Sequence, residues 1–216
     1  MATSKTVLVT RPNHDITTNY FYFWAKKVLK LAAKKHKILD LYSKKACRKN
    51  FESYAKKHKP NFFFFNGHGS DEIVAGYNNE PLLIASENDE LCRDSIVYIR
   101  SCSAAKTLGN SLIQQSTKAC IGYTTKFGFM RLIEKERTPL SDPLAKFYLE
   151  PSNIVATTLL KGHSASEAHF RGLGEMKKNL RKMLSSENPL TDSTGIVLLW
   201  SNIRGQVLLG DPNSVI

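Results

Sequence analysis

The chain has 216 residues, of which 42% are hydrophobic and 23% charged, and its formal net charge is +12 at pH 7. This composition excludes fibrous and disordered proteins, and the length fits one domain over residues 1–216. Residues 1–10 lack the apolar core of a signal peptide and no apolar run is long enough to span a bilayer, so we expect a soluble, cytoplasmic protein without membrane contacts.

Strand and helix patterns alternate along the chain. In order they predict a strand at 6–10, a loop at 11–17, a helix at 19–36, a strand at 38–42, a helix at 45–57 and a strand at 62–65. A polar stretch follows at 69–94, and then come a strand at 95–99, a helix at 104–115, a strand at 119–124, helices at 142–149 and 164–184, and a strand at 206–209. Gly172 and Gly174 are expected to interrupt the last helix. Such alternation predicts an α/β fold, a three-layer αβα sandwich whose central sheet is mostly parallel.

Most of the positive charge lies in one segment. Between Lys26 and Lys59 there are thirteen Lys or Arg residues against Asp40 and Glu52, a local net of +11. One interpretation is a surface for an anionic partner, either nucleic acid or an acidic protein. The alternative is a pair of solvated helix faces, because apolar positions between 28 and 32 supply an ordinary buried stripe.

Two apolar runs, 62–65 and 96–99, each end directly in a polar segment. The first leads into NGHGS at 66–70 and the second into RSCSA at 100–104. In open α/β sheets, ligands bind beyond the carboxyl ends of the strands, and neighbouring strands lie about 4.8 Å apart. We therefore expect His68 and Cys102 to face a substrate together at this edge.

These residue types suit nucleophilic catalysis. A cysteine thiolate is the nucleophile, and a helix expected to begin at 104 favours its formation. His68 accepts or donates a proton near neutral pH, and the N–H groups of Gly69 and Cys102 are candidate oxyanion donors. The alternative is that Cys102 is a small core residue and His68 an ordinary loop residue. The four cysteines lack metal-site spacing and disulfide density, so we predict no metal site and no cofactor.

Four segments in order resemble the caspase-like cysteine peptidases, nearest their gingipain and CHAT branches. FNGHGS at 65–70 and VYIRSCSA at 97–104 look like the two active-site blocks of that superfamily. GHSASEA at 162–168 and VLLGDP at 207–212 are similar to its later helix start and its closing turn. The resemblance implies a caspase-hemoglobinase fold, with His68 as general acid and base, Cys102 as nucleophile and Gly69 as oxyanion donor. The Gln-Ala-Cys-x-Gly signature of caspases proper is absent.

The resemblance also implies a place for the specificity pocket. In this superfamily the loop after the first strand supplies the charged residue at the bottom of that pocket. Asp15 there selects Arg or Lys before the scissile bond, whereas Arg11 selects an acidic residue; we favour Asp15. A structural alternative for Asp15 is the N-cap of the following helix. Thr124 and Thr125, with Lys126, are expected to form another pocket wall.

The sequence thus predicts a cysteine endopeptidase that cleaves peptide or protein substrates after a basic residue. A regulatory protein partner or activator is compatible with this prediction. The alternative is a catalytically silent module of the same fold, which binds an anionic partner through the 26–59 surface.

Overall fold

A six-stranded, mostly parallel sheet forms the centre of the computed structural model, which describes residues 4–185 and 192–216. The strands are β1 (Thr6–Arg11), β2 (Lys37–Tyr42), β3 (Phe62–Asn66), β4 (Ile73–Ala75), β5 (Pro81–Ile84), β6 (Ile96–Arg100), β7 (Ala119–Tyr123) and β8 (Gln206–Gly210). The main sheet has the order β2-β1-β3-β6-β7-β8, in which β8 alone is antiparallel to its neighbour. The predicted mostly parallel sheet is confirmed.

Helices cover both faces of this sheet. They are α1 (Ile16–Ala32), α2 (Arg48–His58), α3 (Thr107–Gln114), α4 (Pro143–Leu160), α5 (Ala165–Leu184) and α6 (Ser193–Gly205). Phe62 and Phe64 pack into the core that holds α1, α4, α5 and α6, whereas Phe63 and Phe65 pack into the core that holds α2 and α3. Alternate side chains of one strand are therefore buried on opposite faces, which explains the uninterrupted apolar run. Among the described helices, none carries an apolar stretch long enough to cross a bilayer.

Several element predictions need correction. The polar stretch at 69–94 contains the β4-β5 hairpin, whose strands are too short to show a clear alternation. α4 continues to Leu160 although Pro151, normally a helix-ending signal, lies inside it. α6 was not predicted, and it packs against the core through Leu199 and Ile203. α3 begins at Thr107 instead of residue 104.

α5 is not interrupted at its two glycines. Gly172 is buried against α4, where a Cβ atom would come within 2.5 Å of Val155 Cγ2. Gly174 has no atom within 4 Å of the same hypothetical position. Gly172 thus serves the close approach of two helices, and the helix continues because its other contacts stabilise the backbone.

The two segments that resemble later blocks of the caspase-like superfamily contact each other. Ser164 is the N-cap of α5 and forms a reciprocal capping box with Glu167. The free N–H groups of the first turn donate to the turn after β8: Ala165 N lies 2.9 Å from Ser214 O, and Ser166 N lies 2.9 Å from Pro212 O. The closing turn therefore satisfies helix donors that would otherwise have no partner.

Candidate active site

His68 and Cys102 follow two neighbouring strands at matching positions. β3 and β6 pair in parallel, with Asn66 opposite Arg100 as the last registered pair. Gly67 N donates to Arg100 O at 3.4 Å, which continues the contact by one residue. His68 and Cys102 thus each lie two residues beyond the same register position, at the carboxyl edge of the sheet.

His68 is held by the carboxylate of Asp15. The distance from His68 Nε2 to Asp15 Oδ2 is 2.6 Å. The other carboxylate oxygen, Oδ1, accepts hydrogen bonds from Thr18 N at 2.7 Å and Thr18 Oγ1 at 2.9 Å, so Asp15 is also the N-cap of α1. The predicted alternative of a helix cap is confirmed.

The ionisation state of Asp15 determines the tautomer of His68. Partial burial opposes ionisation, but hydrogen bonds from Thr18 and His68 outweigh it and hold the pKa of Asp15 below its usual value. A charged carboxylate accepts, so His68 Nε2 carries the proton that it donates to Asp15. Nδ1 of the neutral imidazole is then left with a free lone pair, and it is the nitrogen available to act as a base.

Cys102 is half-buried in the turn after β6. Its Sγ lies 3.8 Å from Phe127 O, and no hydrogen bond joins it to His68 among the described residues. Burial raises the pKa of the Cys102 thiol, while the contact with Phe127 and the charge of Lys126 oppose that rise. The expectation that a helix starts beside Cys102 is wrong, and the helix macrodipole acts only over the first turn. The resting group is therefore a neutral thiol that needs a base.

Gly69 connects the histidine loop to the cysteine loop. It lies opposite Val74 in a single antiparallel bridge, which is closed by hydrogen bonds from Ala75 N to His68 O at 2.9 Å and from Ser70 N to Ile73 O at 3.0 Å. The N–H of Gly69 has no partner in the described parts of the chain. A Cβ atom on Gly69 would collide with Ser101 Oγ and lie 2.6 Å from Ile73 O. Only glycine permits this approach.

The guanidinium of Arg11 is held by internal contacts. Its Nε and Nη2 bond the two carboxylate oxygens of Asp40 at 2.8 and 2.5 Å, and Nη1 donates to Tyr22 O at 3.1 Å. The guanidinium also lies 4.3 Å from the centre of the Tyr22 ring, and the residue is 3% exposed. Because all of these contacts are internal, the geometry does not support the hypothesis that Arg11 receives an acidic substrate side chain.

Thr124 and Thr125 bring the loop after β7 against the cysteine turn. Thr125 O accepts from Ser103 N at 2.9 Å, so this loop supports the residue next to Cys102. Both hydroxyls donate to carbonyls near the end of α6, Thr124 Oγ1 to Gly205 O and Thr125 Oγ1 to Ser201 O, each at 3.2 Å. A substrate role for these two residues stays a prediction.

The sequence prediction did not include Arg100, whose guanidinium is fully buried. Nη1 donates to Asn153 Oδ1 at 2.8 Å and Nη2 to Phe21 O at 3.3 Å. No carboxylate pairs with it among the described residues, and burial lowers its pKa to about 10. It still carries its charge at neutral pH, and it ties the end of β6 to α1 and α4 directly below the cysteine turn.

The sequence prediction also did not include His14, which lies beside His68. Its Nε2 lies 3.6 Å from Asp15 Oδ2, and its ring centre lies 6.1 Å from that of His68. One ligand atom from each of His14, Asp15 and His68 lies within 4.8 Å of the others. Adjacency to Asp15 in the loop after β1 was the sequence signal that could have identified His14.

His68 is partly exposed at the carboxyl edge of the sheet, where its side chain is 38% exposed. Elsewhere, a cavity of about 380 Å³ is lined by α1 and α4, with Leu31 and Ile154 among its walls, and it includes neither His68 nor Cys102.

Comparison with solved structures identifies the fold. No protein-family model matches the sequence, and no curated protein matches it. The structure of the Saccharomyces cerevisiae separase-securin complex aligns with a TM-score of 0.53 and 13% identity over 96% of this chain, which spans 12% of that chain. A secreted C11 cysteine protease from Bacteroides thetaiotaomicron, iotapain, aligns with a TM-score of 0.43 and 12% identity over 84% of this chain and 72% of that one. The chain has the fold of the caspase-like proteins, and such low identity shows the fold alone.

Proposed function

We propose that the chain is a cysteine peptidase in which Cys102 and His68 form the catalytic dyad. One observation carries the proposal: the imidazole of His68 is held by Asp15 through Nε2 at 2.6 Å, and His68 and Cys102 each lie two residues beyond the paired residues Asn66 and Arg100. A nucleophile, a base and an orienting carboxylate are the groups that acyl transfer needs, and these three side chains are of those types. The caspase-like fold supports it, and the gingipain or CHAT branch remains a prediction.

The proposed reaction begins with proton transfer from Cys102 Sγ to His68 Nδ1. The thiolate attacks the peptide carbonyl carbon, and the N–H groups of Gly69 and Cys102 donate to the oxyanion that forms. Asp15 stabilises the imidazolium during this step. His68 then gives its proton to the departing amine as the C–N bond breaks, which leaves a thioester. Water, deprotonated by His68, hydrolyses the thioester and releases the new carboxyl terminus and the free enzyme.

We propose cleavage after a basic residue as the specificity. Arg11, the last residue of β1, is bound to Asp40 and is not available to a substrate. Asp15, in the loop that follows, lies beside His68, and its side chain is 39% exposed. A cationic substrate side chain is therefore complementary in charge to this part of the edge. The same carboxylate serves His68, so the two roles of Asp15 must be separated by mutation.

The deciding experiment replaces Cys102 with alanine and measures cleavage of reporter peptides that end in Arg, Lys or Asp. We expect kcat/KM to fall by at least about a thousandfold, because removal of the nucleophile leaves only binding and oxyanion effects. Cys47→Ala is the matched control, since Cys47 is another half-buried cysteine at the start of α2. Cleavage that is retained in Cys102→Ala, or lost in both variants, contradicts the proposal.

A second candidate function, binding of an anionic protein, rests on the position of the basic segment. β2 is one of the two edge strands of the main sheet, and α1 and α2 flank it from opposite faces. All twelve lysines between Lys26 and Lys59 are exposed, and among the described residues only Lys27 and Lys56 have a carboxylate partner. The similar yeast structure is a complex of separase with securin. We propose that an acidic protein segment binds this basic edge.

A further inference from the structure

A second constellation of ligating side chains overlaps the proposed dyad. Asp15 Oδ2 lies 2.6 Å from His68 Nε2 and 3.6 Å from His14 Nε2. All three side chains offer an atom within 4.8 Å of the other two. The sequence predicted no metal site because the four cysteines lack metal-site spacing, and the loop after β1 brings His14 to His68 only in the folded chain.

His14 is built into this position by three further contacts. Its side chain is 8% exposed, and its backbone N donates to Thr18 Oγ1 at 3.0 Å. The ring packs edge-on against Tyr77 with 5.5 Å between centres, and Nε2 lies 3.3 Å from Asn79 Oδ1. The turn between β4 and β5 therefore covers the ring while its Nε2 faces Asp15. Its Nδ1 has no hydrogen-bond partner among the described residues.

We propose that His14, Asp15 and His68 bind a divalent transition-metal ion, with Zn²⁺ as the ion of choice. Two imidazoles and one carboxylate are ligands that zinc prefers, and they leave the fourth tetrahedral position open to water. Zinc bonds of roughly 2.0–2.2 Å place tetrahedral ligand atoms about 3.3–3.6 Å apart. The distance from His14 Nε2 to Asp15 Oδ2 is 3.6 Å, which lies within this range. The distance from Asp15 Oδ2 to His68 Nε2 is 2.6 Å, so it must lengthen by about 1 Å for both atoms to bind one ion. Mg²⁺ and Ca²⁺ prefer all-oxygen ligand sets and fit poorly.

The bound ion acts as a reversible inhibitor, a consequence that rests on the proposed peptidase function. Coordination through His68 Nε2 replaces the proton that Asp15 accepts in the free protein. A neutral imidazole that coordinates through one nitrogen carries its proton on the other, so Nδ1 becomes an N–H donor. It is then unable to accept the thiol proton of Cys102. The ion also removes Asp15 from its role in stabilising an imidazolium.

Zinc binding is tested on the Cys102→Ala variant of the full chain by calorimetric titration with ZnCl₂, so that neither the thiol nor catalysis contributes. We expect one ion per chain, and an affinity lowered at least about tenfold by His14→Ala and by His14→Gln, since even partners outside the ligand shell contribute that much. His163→Ala is the matched control, because His163 also lies near a carboxylate, 3.3 Å from Glu167, but has no third ligand within the described part of the chain. MgCl₂ should give no binding.

Equal zinc affinity in the parent, His14→Ala and His14→Gln overturns the site, as does absence of binding in the parent. His14→Gln keeps a polar side chain against Tyr77, which separates loss of a ligand from loss of packing. In the chain with Cys102 intact, peptide cleavage should be suppressed by zinc and restored by a chelator. With each variant compared to its own zinc-free rate, the zinc concentration that halves cleavage should be at least about tenfold higher for His14→Ala than for the parent. If no cleavage is found in any sample, the proposed function fails while the binding result still decides the site.

Discussion

Asp15 serves two structural contacts with one small carboxylate. Oδ1 caps α1 through Thr18, and Oδ2 holds the imidazole of His68. The two contacts reinforce each other, because the cap fixes the carboxylate in the orientation that His68 needs. Burial raises the pKa of the Cys102 thiol, so the proposed reaction does not start from a preformed thiolate. It depends instead on His68 as the base and on Asp15, which orients it.

Asp15→Asn should lower kcat for all peptide substrates by roughly 10²–10⁴-fold. Asparagine is also a good N-cap, so the start of α1 is kept, but its amide no longer fixes the Nε2–H tautomer. Steady-state kinetics on Arg-, Lys- and Leu-ended reporters check this. If Asp15 lines the specificity pocket alone, KM rises for the basic substrates only and kcat for the Leu substrate is unchanged.

The control for this substitution is Asp192→Asn. Asp192 caps α6 through a bond from Gly195 N at 2.8 Å, so the same chemical change is made at another helix start. We expect kcat within about twofold of the parent for this variant, as for a surface substitution away from the site. A comparable loss in both variants assigns the effect to helix capping and not to the orientation of His68.

At the scale of elements, packing overrides local signals in the second half of the chain. α4 contains Pro151 and α5 contains Gly172, yet both helices are continuous. Their buried faces meet where Gly172 contacts Val155, so the absence of a side chain is what lets the two helices approach. The predicted interruption at Gly172 and Gly174 was wrong for this reason, and the predicted helix end at residue 149 fell short of Leu160.

Gly172→Ala should lower the free energy of unfolding by about 1–3 kcal/mol, because the new methyl group overpacks the contact with Val155. Gly174→Ala is its matched control: that position is exposed and open, and alanine there should raise the free energy of unfolding by about 0.5–1 kcal/mol through helix propensity. Urea unfolding followed by circular dichroism measures both. Effects of the same sign in the two variants contradict the packing explanation.

At the scale of the whole molecule, the proposed dyad and the basic segment at 26–59 lie at different strands of the sheet. The dyad lies beyond the ends of the two central strands β3 and β6, whereas the basic segment surrounds the outer strand β2. An edge strand offers unpaired backbone groups to an extended partner, and exposed lysines also discourage pairing between identical edges. The acidic partner proposed above would therefore bind at a strand that lies two positions away from β3 in the sheet.

Charge reversal at the basic edge tests this separation. We expect a triple change to Glu at Lys34, Lys35 and Lys37 to weaken binding of a fluorescent Glu-rich peptide at least about tenfold. The affinity should also depend less on salt concentration, since salt screens exposed charges beyond about 10 Å at 0.1 M. Lys177, Lys178 and Lys182 on α5, changed in the same way, are the control and should matter little. Anisotropy titrations measure both. Equal losses indicate a response to net charge alone, and tighter binding of single-stranded DNA than of peptide favours a nucleic-acid partner.

Local pattern by itself predicted the six strands of the main sheet, their alternation with helices and the position of His68 and Cys102 just after two of these strands. Buried parallel strands are apolar runs, and the residue after such a run lies at the ligand-binding edge wherever the strand sits in the sheet. No contact between distant residues had to be known. The strand at β8 was predicted, but its antiparallel direction and the β4-β5 hairpin were not, because pairing direction and short strands depend on the rest of the fold.

Only the tertiary structure decided which side chains surround the dyad. Asp15 meets His68 across 53 positions of sequence, Arg11 is neutralised by Asp40 across 29, and Arg100 reaches Asn153 across 53. Residue 69 must be glycine because Ser101, on another loop, leaves no room for a side chain. His14 is held at the site by the turn after β4, which covers its ring. The sequence alone does not show which residue a given carboxylate contacts in the folded chain. Its role, as pocket, cap, orienting acid or metal ligand, follows from the distances that the folded chain imposes.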